Sequence, residues 1–575
     1  MENGYQGDRL DVLTRRLSRR HLILTGIGTA GAALLQACGG QEPIPQNTPT
    51  SSGDSGSQGG AGSTPEGTED TESGSGTTEE VTHQRGGIIK VAMIGEPPSV
   101  ADAMFTTTTV TSDITRHIFE GLFAQDSEFN PRPMLVDRYE ISDDGLLYTF
   151  TLRSGIKFHD GSELTAEDVV ASLERWGVMT GRGKIVYSRL AEEGVQATDP
   201  LTVTMTFAQP TGILLDFLAL HEAFIMPAAI AREVGTEKLP DEKTIGTGPF
   251  LLKEHQVDRL IRLVRFEDYQ PRTEDPDGHS GRKEVYIDEL HIIPVPDVTV
   301  ATNGLITGEF HFARDVDPDQ FELLQSDPNV VPIIDKPGMW ICVNFNKKQG
   351  PMTDKRLRQV VAMAFDRQQA LIAAFGNIEL TRLDPGIAMQ ETAWHTDVGD
   401  EVYRNVDPEA AKALLAETDY NGEPLRWLTT KEYPYHYNTA AYIKQELEKI
   451  GVNVELVVSD WATVVQRRAQ PDLWELLVVG LPGSWHPATQ IFNDKEWPGW
   501  WDDPRKDEIL SRMVELADPE ERYQTIVEYQ QLIYEELPFI KIGDSHTLQA
   551  RRAEIQGYVT GNAWFFWNVS LSQGS

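Results

Sequence analysis

Cysteine is nearly missing: Cys38 and Cys342 are the two in 575 residues. Disulfide frameworks and thiolate zinc clusters both need cysteines in sets, so neither is available to this chain. Basic residues are in deficit, 51 Lys and Arg against 88 Asp and Glu, for a formal net charge of −37. A nucleic-acid binder needs a cationic face to displace phosphate counterions, so with this balance nucleic acid is not an expected partner. Long apolar runs are lacking as well. Leu22 to Leu35 is about fourteen residues, short of the roughly twenty that a membrane-crossing helix needs. Local catalytic signatures are also absent. No GxSxG occurs, His221-Glu222 begins an HExxH whose second histidine position holds Ile225, and Gly177 to Lys184 has the wrong gap, with Ile185 where a P-loop needs Ser or Thr.

What is present begins with an address. Arg15 and Arg16 precede Ser18-Arg19-Arg20-His21-Leu22-Ile23-Leu24, then the short apolar run, then small residues. Arginines, a modest apolar stretch and small residues follow one another in this order in an export signal. Ser-Arg-Arg-x-Leu-x-Leu resembles the twin-arginine export motif, with Arg19 and Arg20 as its pair. Leu35-Gln36-Ala37-Cys38 resembles a bacterial lipobox, with Gln36 a departure from the usual residue; Cys38 then carries the one side chain that takes a diacylglyceryl thioether. The dinucleotide-like Gly26-Ile27-Gly28-Thr29-Ala30-Gly31 lies inside this signal (residues 1–37), not between a strand and a helix, and is set aside. Residues 39–84 are almost all Gly, Ser, Thr, Pro, Gln and Glu. That composition cannot offset chain entropy by burial, so 38–85 reads as a lipid-anchored flexible linker with a span of roughly 35–40 Å.

From Gly86 strand-like and helix-like segments alternate, and the class is α/β or α+β. Gly87 to Met93 reads as a strand, Leu146 to Leu152 as another with period-two alternation. Thr165-Ala166-Glu167-Asp168 forms a capping-box start for a helix with Val169, Leu173 and Trp176 on one face. Thr353 is placed as the cap of a helix carrying Leu357, Val360, Val361, Ala364 and Phe365, and Asp518-Pro519 opens a helix to about Glu536. Cys342, in the apolar run Met339 to Val343, reads as an inert buried side chain.

Thr149-Phe150-Thr151-Leu152-Arg153-Ser154-Gly155-Ile156-Lys157-Phe158-His159-Asp160-Gly161, followed by Leu164 to Val170, resembles the signature of family 5 extracellular solute-binding proteins, the oligopeptide, dipeptide and nickel receptors of ABC importers. Further matches follow in order: Ile245-Gly246-Thr247-Gly248-Pro249-Phe250, Val343-Asn344-Phe345-Asn346, Asp407 to Leu415, and Glu536-Leu537-Pro538. The resemblance implies a two-lobe α/β architecture with mixed sheets, closing on a solute in the cleft between the lobes. It places the hinge near Ile293 to Pro296 and near Phe539-Ile540, so that lobe I is 86–296 with 541–575 and lobe II is 297–540. It also implies a monomer with a small solute, most simply a peptide, and an ABC permease and ATPase as partners. No cofactor, metal or catalytic residue is implied.

Candidate ligand contacts come from several sources. Trp461 follows the strand Val454 to Val458 at a strand end, where open α/β sheets place ligands. Trp485 sits in the turn-rich Gly483-Ser484-Trp485-His486-Pro487, from which an aromatic face can hold a solute by area and stacking. Trp500 and Trp501 lie in a loop of the same kind. His486 offers one hydrogen bond, Gly246 and Gly248 offer backbone N–H groups, and Asn344 lies in a shared motif. Dipeptide and oligopeptide receptors commonly pair an aspartate, in the region matching Leu481 to His486, with the ligand's ammonium group; this stretch holds no acid. An extracytoplasmic hydrolase and a solute sensor are the competing classes.

Overall fold

The computed structural model describes residues 83–483, 486–561 and 563–572. Arg19, Arg20, Cys38 and Trp485 lie outside the described residues. No helix among the described residues is long and apolar enough to cross a membrane.

One large sheet organises the chain. Its strands are β1 (Ile88–Met93), β2 (Phe250–Gln256), β3 (Leu260–Arg265), β4 (Glu289–Pro294), β5 (Phe312–Ala313), β6 (Val330–Phe345), β7 (Leu425–Thr429), β8 (Val454–Val458), β9 (Leu476–Pro482) and β10 (Phe539–Arg552). They lie in the order β8-β7-β9-β6-β10-β5-β1-β4-β3-β2, and Thr381–Arg382 pairs with β10 off this path. β1 runs parallel to β4 and β5 at one end, and β7 parallel to β8 and β9 at the other. The remaining pairs, β4–β3 and β3–β2 at the edge included, are antiparallel, so the sheet is mixed.

β6 and β10 pair along their whole lengths, from Val330 opposite Arg552 to Asn344 opposite Phe539. Their register slips between the pairs Asp335–Thr547 and Met339–Ser545. On one side of the slip β10 pairs with β5, on the other β6 pairs with β9. The slip therefore marks the waist where one half of the sheet hands over to the other. Two separate apolar cores flank it: one gathers Ile89, Ile118, Phe150, Trp176, Leu263 and Phe566, the other Ile341, Val360, Trp427, Ile443 and Ile542.

Ile293 to Pro296, expected as a crossing, lies at the end of β4. After β4 the chain enters a helix, Val298–Thr307, whose Ala301 and Leu305 pack with Ala92 of β1 and Ala550 of β10. β5 then pairs with β1. Residues 297–335 thus stay on the β1 side of the waist.

Local signals explain the elements well. Thr165 caps the helix Ala166–Met179 through the capping box, its N–H bonding Asp168 Oδ2 at 2.8 Å. Asp518 caps Pro519–Glu536, accepting from Glu520 and Glu521 N–H. Thr353 does not cap the next helix. Residues 351–353 form a 3-10 turn, and Asp354 caps Lys355–Met363 by accepting from Arg356 N–H at 2.8 Å, its carboxylate being a stronger acceptor than a hydroxyl. Cys342 is fully buried on β6, where desolvation pushes its thiol far above the usual range.

Candidate functional site

Strand ends set the two walls of a cleft. On the first side, the loop after β1 is fixed by Asp102, whose Oδ1 accepts Arg175 Nη1 at 3.0 Å and Phe105 N–H at 3.2 Å. Its Oδ2 accepts Arg175 Nη2 and Leu239 N–H, both at 2.8 Å. Both side chains are withdrawn from water, 0% and 2% exposed, so each charge is met by the other and by surrounding polar groups. This clamp presents Met104, Phe105 and Thr107 to the cleft.

On the second side, the chain leaves β9 and is held at once by Gly483 N–H bonding Gly338 O at 3.0 Å. Beyond it, residues 486–493 are tied mainly by uncharged groups. His486 Nδ1 accepts Ala488 N–H, Asn493 Nδ2 donates to Pro487 and Ala488 carbonyls, and Tyr529 OH donates to Asn493 Oδ1 at 2.6 Å. Lys506 Nζ adds a bond to Asn493 O at 2.8 Å.

Between these walls lies a cavity of about 490 Å³, lined by Met104, Phe105, Arg182 and Glu222 from the first side and by Thr489 and Gln490 from the second. Arg182 Nη1 donates to Glu222 Oε2 at 2.9 Å. A second cavity, about 630 Å³, also spans the walls, between Tyr139, Tyr148 and Asp216 on one and Trp394, Arg522 and Tyr523 on the other. Here the two sides touch. Arg522 Nη1 reaches Asp216 Oδ2 at 2.6 Å and Gly212 O at 3.1 Å, and Arg189 reaches Glu515 at 3.2 Å. Arg522 also lies over the Trp394 ring at 4.8 Å, and that ring meets His486 edge-on at 5.4 Å. At the waist, Gln549 Nε2 donates to the buried Asp335 Oδ2 at 2.9 Å. Burial, reinforced by the Asp113 carboxylate and opposed by Arg314, pushes the Asp335 carboxyl up to about 8.

The candidate residues fall in different places. Trp461 is the first residue of a helix capped by Asp460, just past β8, and it meets Tyr433 at 5.2 Å and His436 at 5.1 Å. Tyr435 of the same group lies against Gly480 of β9 beside Met339, which places these aromatics at the ends of parallel strands next to the waist. Trp461 does not line either cavity described above. His486 is fully buried and kept neutral by desolvation, far below its usual pKa, and serves as a cap. The N–H of Gly246 is taken by His159 Nδ1 at 3.2 Å and that of Gly248 by Ile118 O at 2.9 Å, so neither is offered to a ligand. His159 Nε2 in turn donates to Gly248 O, so the two signature stretches interlock. A side chain at Gly246 would meet Ile118 O at 2.1 Å, which is the reason for glycine there. Asn344 is buried on β6 and donates to Pro498 O at 2.8 Å. The tryptophan loop is core: Trp497 packs edge-on against Phe492 at 4.8 Å, Trp500 lies against Trp474, and Trp501 is buried with its carbonyl taken by Lys506.

A family model described as bacterial extracellular solute-binding proteins, family 5 middle, matches residues 130–495. A probable peptide ABC transporter periplasmic-binding protein of Sinorhizobium fredii is 30% identical over 83% of this chain and 93% of its own length. The chain belongs to family 5 of the extracellular solute-binding proteins. A second relative, the glutathione-binding protein GsiB of Escherichia coli, is 25% identical over 81% of this chain and 91% of that protein. Among solved structures, the ABC transporter substrate-binding protein CtaP of Listeria monocytogenes superposes with a TM-score of 0.74 at 21% identity, covering 85% of this chain and all of that one. The two-lobe fold of family 5 is thereby shown, and with it membership of an extracellular solute-binding class. Family membership explains the interlocked signatures as scaffold, whereas Asp102, Arg175, Glu222 and Arg522 were missed in the sequence. One fragment pointed at them: His221-Glu222 drew notice only as half of a metal motif.

Proposed function

We propose that this chain is the substrate receptor of an ABC importer, capturing a peptide or a related amino-acid-based solute between its lobes and handing it unchanged to a membrane permease. The observation that carries the reading is the 490 Å³ cavity lined from both sides of the waist by charged, amide and apolar groups. Its size and mixture suit a small solute held by a few placed polar groups. The S. fredii relative's description as a peptide transporter component supports the peptide class.

The lobes are taken as 86–335 with 547–572, and 339–545, because the register slip falls there and the two largest apolar clusters lie mainly on opposite sides of it. Solute binding shifts an open population toward the closed one, since only the closed form contacts both walls. Trp461, with Tyr433, forms an aromatic wall of the second lobe; Trp485 is taken as a ligand contact from sequence alone. The receptor works as a monomer, without catalysis, cofactor or metal. It is exported through Arg19 and Arg20 and tethered by lipid on Cys38 to the outer face of the cytoplasmic membrane.

Native mass spectrometry of the protein purified from its host tests the solute class. A co-purified mass matching a short peptide or amino-acid conjugate is expected, and a sugar or bare metal complex overturns it. Cys38→Ser tests the anchor: release into the soluble extracytoplasmic fraction is expected, and unchanged membrane retention overturns it.

A further inference from the structure

Outside the clamp at Asp102, the root of the first wall is held by a histidine. His255, on β2, meets a carboxylate with each ring nitrogen: Nδ1 lies 2.6 Å from Asp241 Oδ2, and Nε2 lies 2.6 Å from Glu96 Oε1. A neutral imidazole has one N–H and one lone pair, whereas an ionised carboxylate has acceptors alone. Both contacts are therefore hydrogen bonds only when the ring carries two protons. The neutral ring sets a lone pair against one of the carboxylates, and that carboxylate must leave. Glu96 comes from the loop after β1 and Asp241 from the 3-10 turn Asp241–Lys243, so the ring joins two segments far apart in the chain.

No lysine or arginine pairs with either carboxylate among the described residues. Lys243 is turned to Glu233, Glu254 of the same strand to Arg262 of β3, and Lys238 donates to Pro98 O at 3.4 Å. Asp258, in the turn between β2 and β3, faces the group with its backbone and gives its N–H to Glu96 Oε2 at 3.0 Å. One imidazolium thus serves two acids. Desolvation opposes its charge, but the hydrogen bonds and attraction of Asp241 and Glu96 prevail and hold its pKa above the ordinary value. Both joined segments support the cleft wall. Glu96 precedes Asp102 on the loop that carries Met104, Phe105 and Thr107 to the cavity, and Asp241 follows Leu239, whose N–H Asp102 Oδ2 accepts at 2.8 Å.

We infer that His255 is a proton-operated staple of the first wall: with two protons it stitches the loop after β1 to the segment 239–241, and with one it lets the stitch open, whichever carboxylate leaves. It is a positioning residue, lining neither interlobe cavity and acting on solute through the loop. This rests on the receptor reading above and adds a condition for capture, since the wall is firm in mildly acid medium and looser in alkaline medium. The sign follows from the direction of the shift. The staple's contribution is fully present below the ordinary value of 6.5 and is lost as pH rises through the higher folded value.

Backbone hydrogen exchange of residues 96–107 is followed by mass spectrometry on the full mature protein at about pH 6 and about pH 8.5, with each rate corrected for base catalysis of intrinsic exchange. Wild type is expected to protect the segment at least about threefold more at the lower pH. His255→Gln is expected to protect it equally at both, within about twofold, and so is Glu96→Gln, whose amide can face the ring in either protonation state. A merely structural His255 would lower protection in the variant without any pH dependence in wild type. Equal protection at both pH values in wild type, or a difference that persists in either variant, overturns the staple. Should His255→Gln not fold, wild type and Glu96→Gln carry the same comparison. In parallel, a mixture of tripeptides is offered at each pH and the retained members are quantified after buffer exchange. Wild type is expected to retain at least about threefold more at the lower pH, and His255→Gln similar amounts at both. Equal retention by wild type at both overturns the condition on capture. Retention of no peptide at either pH overturns the peptide reading, and the exchange measurement still decides the staple.

Discussion

The two walls of the cleft are held by different physics. The first-lobe loop depends on one buried ion pair, Asp102–Arg175, with two backbone N–H groups completing the carboxylate's shell. The second-lobe segment depends on several hydrogen bonds between neutral groups around Asn493 and Tyr529, on one donation from the buried Lys506 ammonium to Asn493 O, and on aromatic packing. Paired buried charge is all-or-nothing, because removing one partner strands the other in a medium of low polarity. Neutral bonds fail piecemeal. The first wall is therefore a single clamp, and the second a set of small ties.

Asp102→Ala is the sharpest test of that contrast. It strands Arg175, and a loss of about 3–5 kcal/mol is expected in urea unfolding, with solute binding lost alongside. A loss below about 1 kcal/mol would show that Arg175 finds water and that the clamp is ordinary surface chemistry.

Asp335 at the waist is a third case, a buried carboxyl with no direct cation bond. Its pKa rises from 3.8 unfolded to about 8 folded. The neutral form is favoured by folding, so its contribution is fully present below about pH 4 and is lost as pH rises toward 8. Asp335→Asn should remove that slope and raise stability at pH 7 by roughly 3 kcal/mol at one unit per 1.36 kcal/mol, discounted for relaxation. Parallel melting curves of the two proteins from pH 4 to pH 8 overturn the assignment.

Asn493→Ala removes several neutral ties at once and leaves Tyr529 OH unpaired, for an expected loss of about 1–3 kcal/mol in the same assay. A larger effect than that of Asp102→Ala would reverse the comparison. Smallest in stability is Trp461→Ala, about 1 kcal/mol or less, since the ring is only half-buried. Its expected cost is in affinity, roughly 30-fold by calorimetry with the co-purified solute. Unchanged affinity returns Trp461 to the scaffold.

Local signals were legible because their partners are near in sequence: the Thr165 box, the Asp518-Pro519 start and the β8 run needed only a few neighbouring residues. Thr353 misled by one residue, as two adjacent capping types compete and only geometry chooses between them. The tryptophan loop is aperiodic in sequence, and it is Lys506, bonded to the Asn493 and Trp501 carbonyls, that holds it inward against Phe492 and Trp474. Asp102 and Arg175 are 73 positions apart, and Arg182 and Glu222 are 40 apart, so no window on the chain shows either pair. The glycines at 246 and 248 were conspicuous for backbone reasons, close packing on Ile118, and not for a ligand.

Gly212 touches the opposite lobe with bare backbone: a side chain there would begin 1.8 Å from Leu516 O. This glycine is a doorstop left out of the frame. Any larger residue would wedge the lobes ajar at the edge where Arg522 meets Asp216, leaving each wall intact and preventing them from meeting. At this edge the two backbones can approach as closely as they do only because position 212 lacks a methyl group.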